Sequence, residues 1–297
     1  MMNAVCAAAE LSWKKTDETV ALLKGTEVVW QLNYRKEEGK PYFHPLCTLS
    51  GELITDLRPK DHVWHRGLWF SWKYINKVNY WEEDRKTRKS QGTTELVSTN
   101  VVTNDDFSAK FTMKLSYHPP GEAEILAEER VILVSAPDAA GVYRIDWTSK
   151  FTATADAELS RTPIRGEKGG KGWGGYAGFS LRMAKAVRGC TFSSDQIPPP
   201  GATKKIHGSK ANWFAMELPK GKSGGVVMLN APANLSTTCW YFFPSMPFMS
   251  PAVIWEKPHK MAKGDTLTLK YRMLVFDKPL DRAEIGQAWQ AFLGKKQ

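Results

Sequence analysis

The stretch DHVWHRG, residues 61–67, places two imidazoles, a carboxylate and a guanidinium within one short segment of a chain that has six histidines in all. An unperturbed imidazole titrates near ~6.5, so His62 and His65 are of the right type to act as general acid and base close to neutrality. With His44 upstream and Asp61 beside them, they are also of the types that ligate metal ions. A third role is hydrogen bonding to sugar hydroxyls beside a tryptophan face, and a fourth is a plain structural hydrogen bond for each ring. Zinc sites usually carry an HExxH motif or paired cysteines. The chain has neither, so no metal ion is expected. No cofactor is expected either, because the glycine-rich RGEKGGKGWGGYAG (165–178) fits neither a phosphate-binding loop nor a dinucleotide fingerprint.

Whether these groups meet depends on the backbone that carries them. On a strand, residues three apart point to opposite faces, whereas a turn can bring His62 and His65 together. RPKD (58–61) supplies such a turn, and LWFSW (68–72) reads as the strand it feeds. Alternation there puts Leu68, Phe70 and Trp72 on one face and Trp69 on the other. Of Trp64, Trp69, Trp72 and Trp81, one or two are expected to line a pocket and the rest to fill core. Arg58 and Arg66 flank the histidines, and a guanidinium fork suits a carboxylate or vicinal hydroxyls. The glycine-rich stretch reads as a loop, either one that brings Trp173 and Tyr176 to a ligand or a plain surface loop. A second aromatic- and proline-rich region (226–259) offers Asn230, Asn234 and Trp240 as polar and stacking groups. Its Glu256 is read as a surface carboxylate paired with Lys257.

The elements around these groups are strands. AKFTMKLSY (109–117), VYRIDWTSKF (142–151) and TLTLKYRMLVF (266–276) alternate with period two, and GFSLRMA (178–184) and GGVVMLN (224–230) are shorter candidates. Strands broken by Gly, Pro, Asn and Asp clusters predict an all-β, antiparallel sandwich or barrel. One helix is expected over 280–294, capped by Asp281 with Glu284 three residues on and ending at Gly294. No linker or repeat divides the 297 residues, which are read as one β-sandwich domain with a core over 20–278. SSDQIPPPGATKK (193–205) reads as an exposed connection.

Composition narrows the function classes. The net charge is +10, but clusters such as EEDRKTRK (82–89) mix acids with bases, so nucleic acid is not an expected partner. An anionic small molecule would be electrostatically favoured. No stretch approaches the ~18 apolar residues of a membrane span. The four cysteines, Cys6, Cys47, Cys190 and Cys239, form no CxxC pair. The opening MMNAVCAAAELSWKK has the small residues of a cleavage site without a basic or full apolar region. It reads as the remnant of a secretion signal or a ragged terminus, with a periplasmic or secreted location favoured. Nothing in the pattern fixes the oligomeric state.

The segment PYFHPLCTLSGELITDLRPKDHVWHRGLWFSW, followed by VNYWEE, resembles the signature of the DUF6807 family, also labelled PmoA-like. GGYAGFSLRM, GVVMLNAPANLSTTCWYF and GDTLTLKYRMLVFD extend the resemblance over about 41–277. It implies a large antiparallel β-supersandwich of the galactose-mutarotase type, found among carbohydrate-handling proteins. It implies site residues His44, Arg58, Asp61, His62, His65 and Asn234. A metal-dependent oxygenase, which the label suggests, is not expected from a chain without a spanning segment. Two positions depart from the family pattern: Asn230-Ala231 stand where an Asp-His is usual, and Lys77 follows Asn76 where Gly is usual.

Together these readings predict a carbohydrate-active protein. His62, His65 and His44 would perform acid–base chemistry of epimerase, mutarotase or lyase type. Arg58, Asp61, Arg66, Asn76, Tyr176 and Asn234 would bind substrate, and Trp72 or Trp240 would stack on the ring. The alternative is a non-catalytic carbohydrate-binding or scaffold protein, which the missing Asp-His favours. The enzymatic reading expects the three imidazoles to converge in one solvent-reachable hollow between the sheets.

Overall fold

Period-two alternation becomes strand across the chain. Ala109–His118 buries Phe111, Met113, Leu115 and Tyr117, and Thr266–Phe276 buries Leu267, Leu269, Tyr271 and Met273 while exposing Thr268 and Lys270 between them. The structure, a computed structural model, describes residues 10–185, 189–197, 206–235, 239–243 and 246–294. The first nine residues, with Cys6, and the 198–205 part of the proline-rich connection lie outside the described residues. The described cysteines, Cys47, Cys190 and Cys239, are free thiols.

The fold is a large antiparallel β-sandwich. Among the described residues, one sheet has nine strands, in the order Leu11–Lys15, Thr19–Lys24, Glu27–Asn33, Tyr42–Leu46, Leu68–Ser71, Gly178–Arg182, Phe248–Ala252, Cys239–Phe243 and Ser209–Lys210. The other has eight, and its centre is built from Gly225–Asn230, Thr266–Phe276, Tyr143–Ala153 and Leu126–Val134. A small four-stranded sheet includes Ala157–Ser160, Tyr74–Ile75 and Val78–Asn79. Strands distant in sequence lie side by side, with Phe179 opposite Phe70 and Arg182 opposite Phe248.

The facing sides of the two large sheets form one core. Phe179 stacks on Tyr271 with ring centroids 4.8 Å apart and packs against Trp147 at 5.2 Å, while Phe70 meets Phe151 at 5.4 Å. Each such side chain, fully buried, contributes about 1.5–3 kcal/mol. The core also holds a charge pair on the Leu126–Val134 strand. Arg130 donates to Glu128 at 2.7 and 2.8 Å, Tyr117 and Ser149 donate to the same carboxylate, and the Arg130 guanidinium lies 4.7 Å above the Trp147 ring. A buried ion pair is tolerated when its remaining oxygens are hydrogen-bonded in this way.

The helix runs Arg282–Phe292, two residues short of the expected end. Its capping box is formed: Glu284 donates its N–H to Asp281 at 2.8 Å, and Asp281 donates to the Glu284 carboxylate at 2.7 Å. Ile285 and Trp289 pack on Trp213, Val227, Leu229 and Leu274, and so cover the outer face of the eight-stranded sheet. The outer face of the nine-stranded sheet carries a different apolar cluster, with Tyr42, Trp69, Trp81, Tyr176, Tyr241 and Phe248. No helix among the described residues is long and apolar enough to cross a membrane.

Candidate functional site

The histidine segment folds as two consecutive turns. His62 donates its N–H to the Pro59 carbonyl at 2.9 Å, His65 to His62 at 3.0 Å, and Arg58 to His65 at 2.8 Å. A bridge between Leu57 and Arg66 closes the loop onto the sheet. Gly67 makes the entry to the Leu68–Ser71 strand possible. Its φ is +73°, and a Cβ there would sit 2.3 Å from the Phe43 carbonyl oxygen. The turn brings His62 and His65 together, as the spacing allows, with ring centroids 4.7 Å apart.

The rings stand at one end of a cleft of about 430 Å³ on the outer face of the nine-stranded sheet. This corrects the expected location: the space between the sheets is filled by core. Aromatic rings form most of the wall. Trp64 and Trp81 lie beside the histidines, Tyr176 packs on Trp81 at 5.0 Å, Tyr241 and Phe243 complete the wall, and Phe248 lies 5.1 Å from His65. Trp69 packs against them from the sheet, 5.3 Å from His65 and 5.4 Å from Trp81.

Three polar groups in this wall define its electrostatics. The Asp61 carboxylate lies 2.9 Å from His62 Nδ1 and accepts two hydrogen bonds from Arg182 at 3.0 and 3.1 Å. Burial pushes the Asp61 carboxyl up, but the bonds from His62 and Arg182 together outweigh it and hold the group down to about 2. An ionised carboxylate only accepts, so His62 Nδ1 must carry the hydrogen, which leaves Nε2 to receive a proton. His65 is 3% exposed, and its Nδ1 has no hydrogen-bond partner among the described residues. Burial, followed by the nearby His62 and Arg182 charges, lowers its pKa well below the usual imidazole range, so it is neutral. Glu82 is the third group. It accepts from Tyr176 at 2.5 Å, from Asn79 at 2.7 Å and from Lys73. Burial raises the Glu82 carboxyl, but the Lys73 charge and these three bonds bring it below its ordinary value.

The remaining expected site residues lie elsewhere, each for a local reason. His44 does not line the cleft, and its Nδ1 pairs with the Thr55 hydroxyl at 3.0 Å. Trp72 and Trp240 are fully buried between the sheets and cannot stack on a ligand; Trp240 donates to the Ala211 carbonyl at 2.9 Å. Arg58 and Arg66 are tied up by carboxylates of the chain itself. Arg66 donates to Glu83 and Glu38, both at 2.6 Å, and Arg58 to Glu83 at 2.8 Å. Lys40 joins the same cluster, where burial lowers its amine to about 8. Asn76 holds a hairpin turn, donating to the Asp156 carbonyl at 3.0 Å and accepting from the Glu158 N–H at 2.7 Å. Asn234 clamps Lys270, with its side chain bonded to both the N–H and the C=O of that residue. It also donates to Asn230 at 2.7 Å, so the Asn230-Ala231 departure belongs to this clamp on the eight-stranded sheet and does not line the cleft. Glu256 pairs with Lys210 at 2.9 Å rather than with Lys257.

Tyr176 and Trp173 do line the cleft, delivered by the glycine-rich loop, and the Tyr241 hydroxyl donates to the Trp173 carbonyl at 3.1 Å. Sequence reasoning missed Glu82, Arg182, Tyr241 and Phe248. The acidic pair after Trp81 in NYWEE was a signal for Glu82. The other three come from strands whose pairing with the histidine segment is not written locally. Among the described residues, no group of three or more His, Cys, Asp or Glu side chains could hold a metal ion.

Comparison with solved structures gives distant likenesses over most of the chain. An alpha-galactosidase from Lactobacillus brevis is similar at 10% identity and a TM-score of 0.38, over 96% of this chain and 42% of that one. A candidate aldose 1-epimerase from Klebsiella pneumoniae is similar at 7% identity and a TM-score of 0.41, over 95% and 82%. A galactose mutarotase related enzyme from Lactobacillus acidophilus is similar at 8% identity and a TM-score of 0.30, over 91% and 100%. This chain thus spans less than half of the galactosidase. No curated protein matches it. The family profile of DUF6807, described as a family of unknown function, matches residues 19–290, and the chain belongs to that family.

Proposed function

We propose that the outer-face cleft binds a carbohydrate ring and that His62, oriented by Asp61 and Arg182, exchanges a proton with it. The chemistry would be an isomerisation of epimerase or mutarotase type, or a lyase-type elimination. One observation carries the reading: an imidazole with a fixed tautomer and an ionised carboxylate, Glu82, line the same aromatic-walled cleft. Aromatic faces suit the apolar C–H faces of sugar rings, and a carboxylate accepts hydroxyl hydrogens. His62 Nε2 would take the proton and return it, while Asp61 stabilises the imidazolium formed. His65 stays neutral beneath, so no second imidazolium opposes that step.

A second reading, saccharide binding without turnover, is favoured by the state of Glu82. Lys73, Tyr176 and Asn79 hold it as an acceptor, which leaves proton transfer resting on His62. Titration calorimetry with galactose, glucose and their uronic acids, paired with NMR of the anomeric and ring protons, separates the two. Catalysis predicts exchange or conversion that falls by about 10²–10⁴-fold in His62→Ala with binding retained. Exchange at the wild-type rate in that variant would remove the catalytic assignment, and binding without any exchange in the wild type would leave the second reading.

A further inference from the structure

A second pocket lies behind Tyr241. On the far side of that ring, His207 packs edge-on at 5.0 Å and opens this pocket of about 310 Å³. Trp255, Arg165 and Lys171 line it with His207, and Gly172 and Gly174 pass along its edge. Trp173, between those glycines, faces the first cleft, and its carbonyl accepts the Tyr241 hydroxyl. The two pockets therefore stand back to back across the Tyr241–His207 ring pair and the 172–174 backbone.

This second pocket is rigidly built. The Trp255 indole lies between two backbones that approach as only glycine permits. A Cβ on Gly175 would fall 2.5 Å from the ring, and one on Gly208 would fall 3.1 Å from it; both residues have positive φ. Arg161, buried beneath, donates to the Trp255 carbonyl at 2.7 Å and to Glu167 of the glycine-rich loop at 2.7 and 2.8 Å. That contact fastens the loop to the Trp255 backbone. It also neutralises Glu167, and Lys210 neutralises Glu256 next to Trp255. Arg165 and Lys171 are exposed and have no ion-pair partner among the described residues, so their charges face the pocket uncancelled. The Phe242 N–H donates to His207 Nδ1 at 3.4 Å, which leaves the other ring nitrogen as a donor.

We propose that this pocket is a subsite for a further, anionic ring of the saccharide held in the cleft. Trp255 takes the ring face, and Arg165 and Lys171 take the acidic group. The inference rests on the carbohydrate reading of the cleft and specifies its substrate class: an acidic oligosaccharide rather than a single neutral sugar. A planar guanidinium and an ammonium on an aromatic floor suit a carboxylate or a sulfate ester on such a ring.

Calorimetry on the full chain tests it with four probes: galacturonic acid, a galacturonic acid tetrasaccharide, the corresponding galactose tetrasaccharide and its sulfated form. The wild type should bind an acidic tetrasaccharide more tightly than the neutral one. Arg165→Ala with Lys171→Ala should remove about tenfold or more of that affinity, the scale of charge-assisted hydrogen bonds, and leave the neutral tetrasaccharide and the acidic monomer unchanged. Response to the sulfated but not the uronic chain, or the reverse, identifies the acid and supports the subsite. Equal binding of neutral and acidic chains, or an unaltered acidic affinity in the double variant, overturns the subsite and leaves the cleft reading standing. An equal loss for the acidic monomer would place the charge effect in the first cleft, which also overturns it. Failure of every saccharide to bind overturns both readings. Both substituted residues are surface groups, so thermal unfolding of the variant should match the wild type.

Discussion

The imidazoles of His62 and His65 are stacked, with centroids 4.7 Å apart and 21° between their planes. Two charged rings at that distance would repel by on the order of 3–4 kcal/mol at an effective dielectric of ~20. The pair can therefore carry one charge and not two, and burial decides that His65 is the neutral member.

A pH dependence of stability follows. The folded His65 titrates below the unfolded value of ~6.5, so as pH falls past that value the unfolded chain takes up a proton that the folded chain refuses. Stability is present above ~6.5 and is lost on acidification, by up to about 1.4 kcal/mol per pH unit from this one group. Burial lowers His44, His207 and His259 in the same direction, so the wild type loses more than one group's share. His65→Gln should lose less melting temperature than the wild type between pH 7.5 and pH 5.5. Equal losses in the two proteins would mean that His65 is not the refused proton.

Glu83 holds the other end of the histidine loop. Its carboxylate is 2% exposed and receives Arg66, Arg58 and Lys40, of which Arg66 is 1% exposed. Glu83→Gln would leave buried cations short of their main counter-charge, a change that typically costs about 3–5 kcal/mol. Urea unfolding should show that loss. Adding Arg66→Met to Glu83→Gln should give a double variant less destabilised than the sum of the singles, because the second substitution removes the stranded cation. Strict additivity would contradict the cluster.

The Asn76-Lys77 turn joins Tyr74–Ile75 to Val78–Asn79, with φ of +50° and +68° at its two central residues. Two positive φ values mark a type I′ hairpin turn, which prefers Asn followed by Gly. Lys77 therefore occupies a position where an L side chain costs about 1 kcal/mol. Lys77→Gly should stabilise by about that amount and raise the melting temperature by about 2 °C. A lower melting temperature would show that the lysine side chain makes a compensating contact.

The strands were legible because one face of each packs against the other sheet, and burial on one face writes period two into the sequence. Where the core itself needed charge, the pattern failed: Glu128 and Arg130 point inward on Leu126–Val134 and mimic solvent-facing positions. Around the site, the turn and the three-residue spacing allow His62 and His65 to meet without stating how, and alternation separates Trp69 from Leu68, Phe70 and Trp72. Which of those two faces holds the cleft depends on where the other sheet lies, and no local pattern states that. For the same reason spacing alone does not tell Trp72 and Trp240, which fill core, from rings that stack on a ligand. Arg182 meets Asp61, and Phe248 meets His65, across more than a hundred residues of sequence, so they are invisible to spacing arguments.

Glu82 and His62 line the same cleft but should fail differently when altered. Tyr176, Asn79 and Lys73 fix the Glu82 carboxylate as an acceptor with a lowered pKa, which makes it a poor proton carrier and a good partner for sugar hydroxyls. His62 has one nitrogen committed to Asp61 and the other open to a proton. Once a turned-over sugar is identified, Glu82→Gln should raise KM by about tenfold, the scale of a hydrogen bond to a charged group, with little change in kcat. His62→Gln should lower kcat by about 10²–10⁴-fold with KM nearly unchanged. Tyr176→Phe removes one of the donors that orient Glu82, so it should shift KM in the same direction as Glu82→Gln but by less. A collapse of kcat in Glu82→Gln at unchanged KM would reverse the two roles and make the carboxylate the proton carrier.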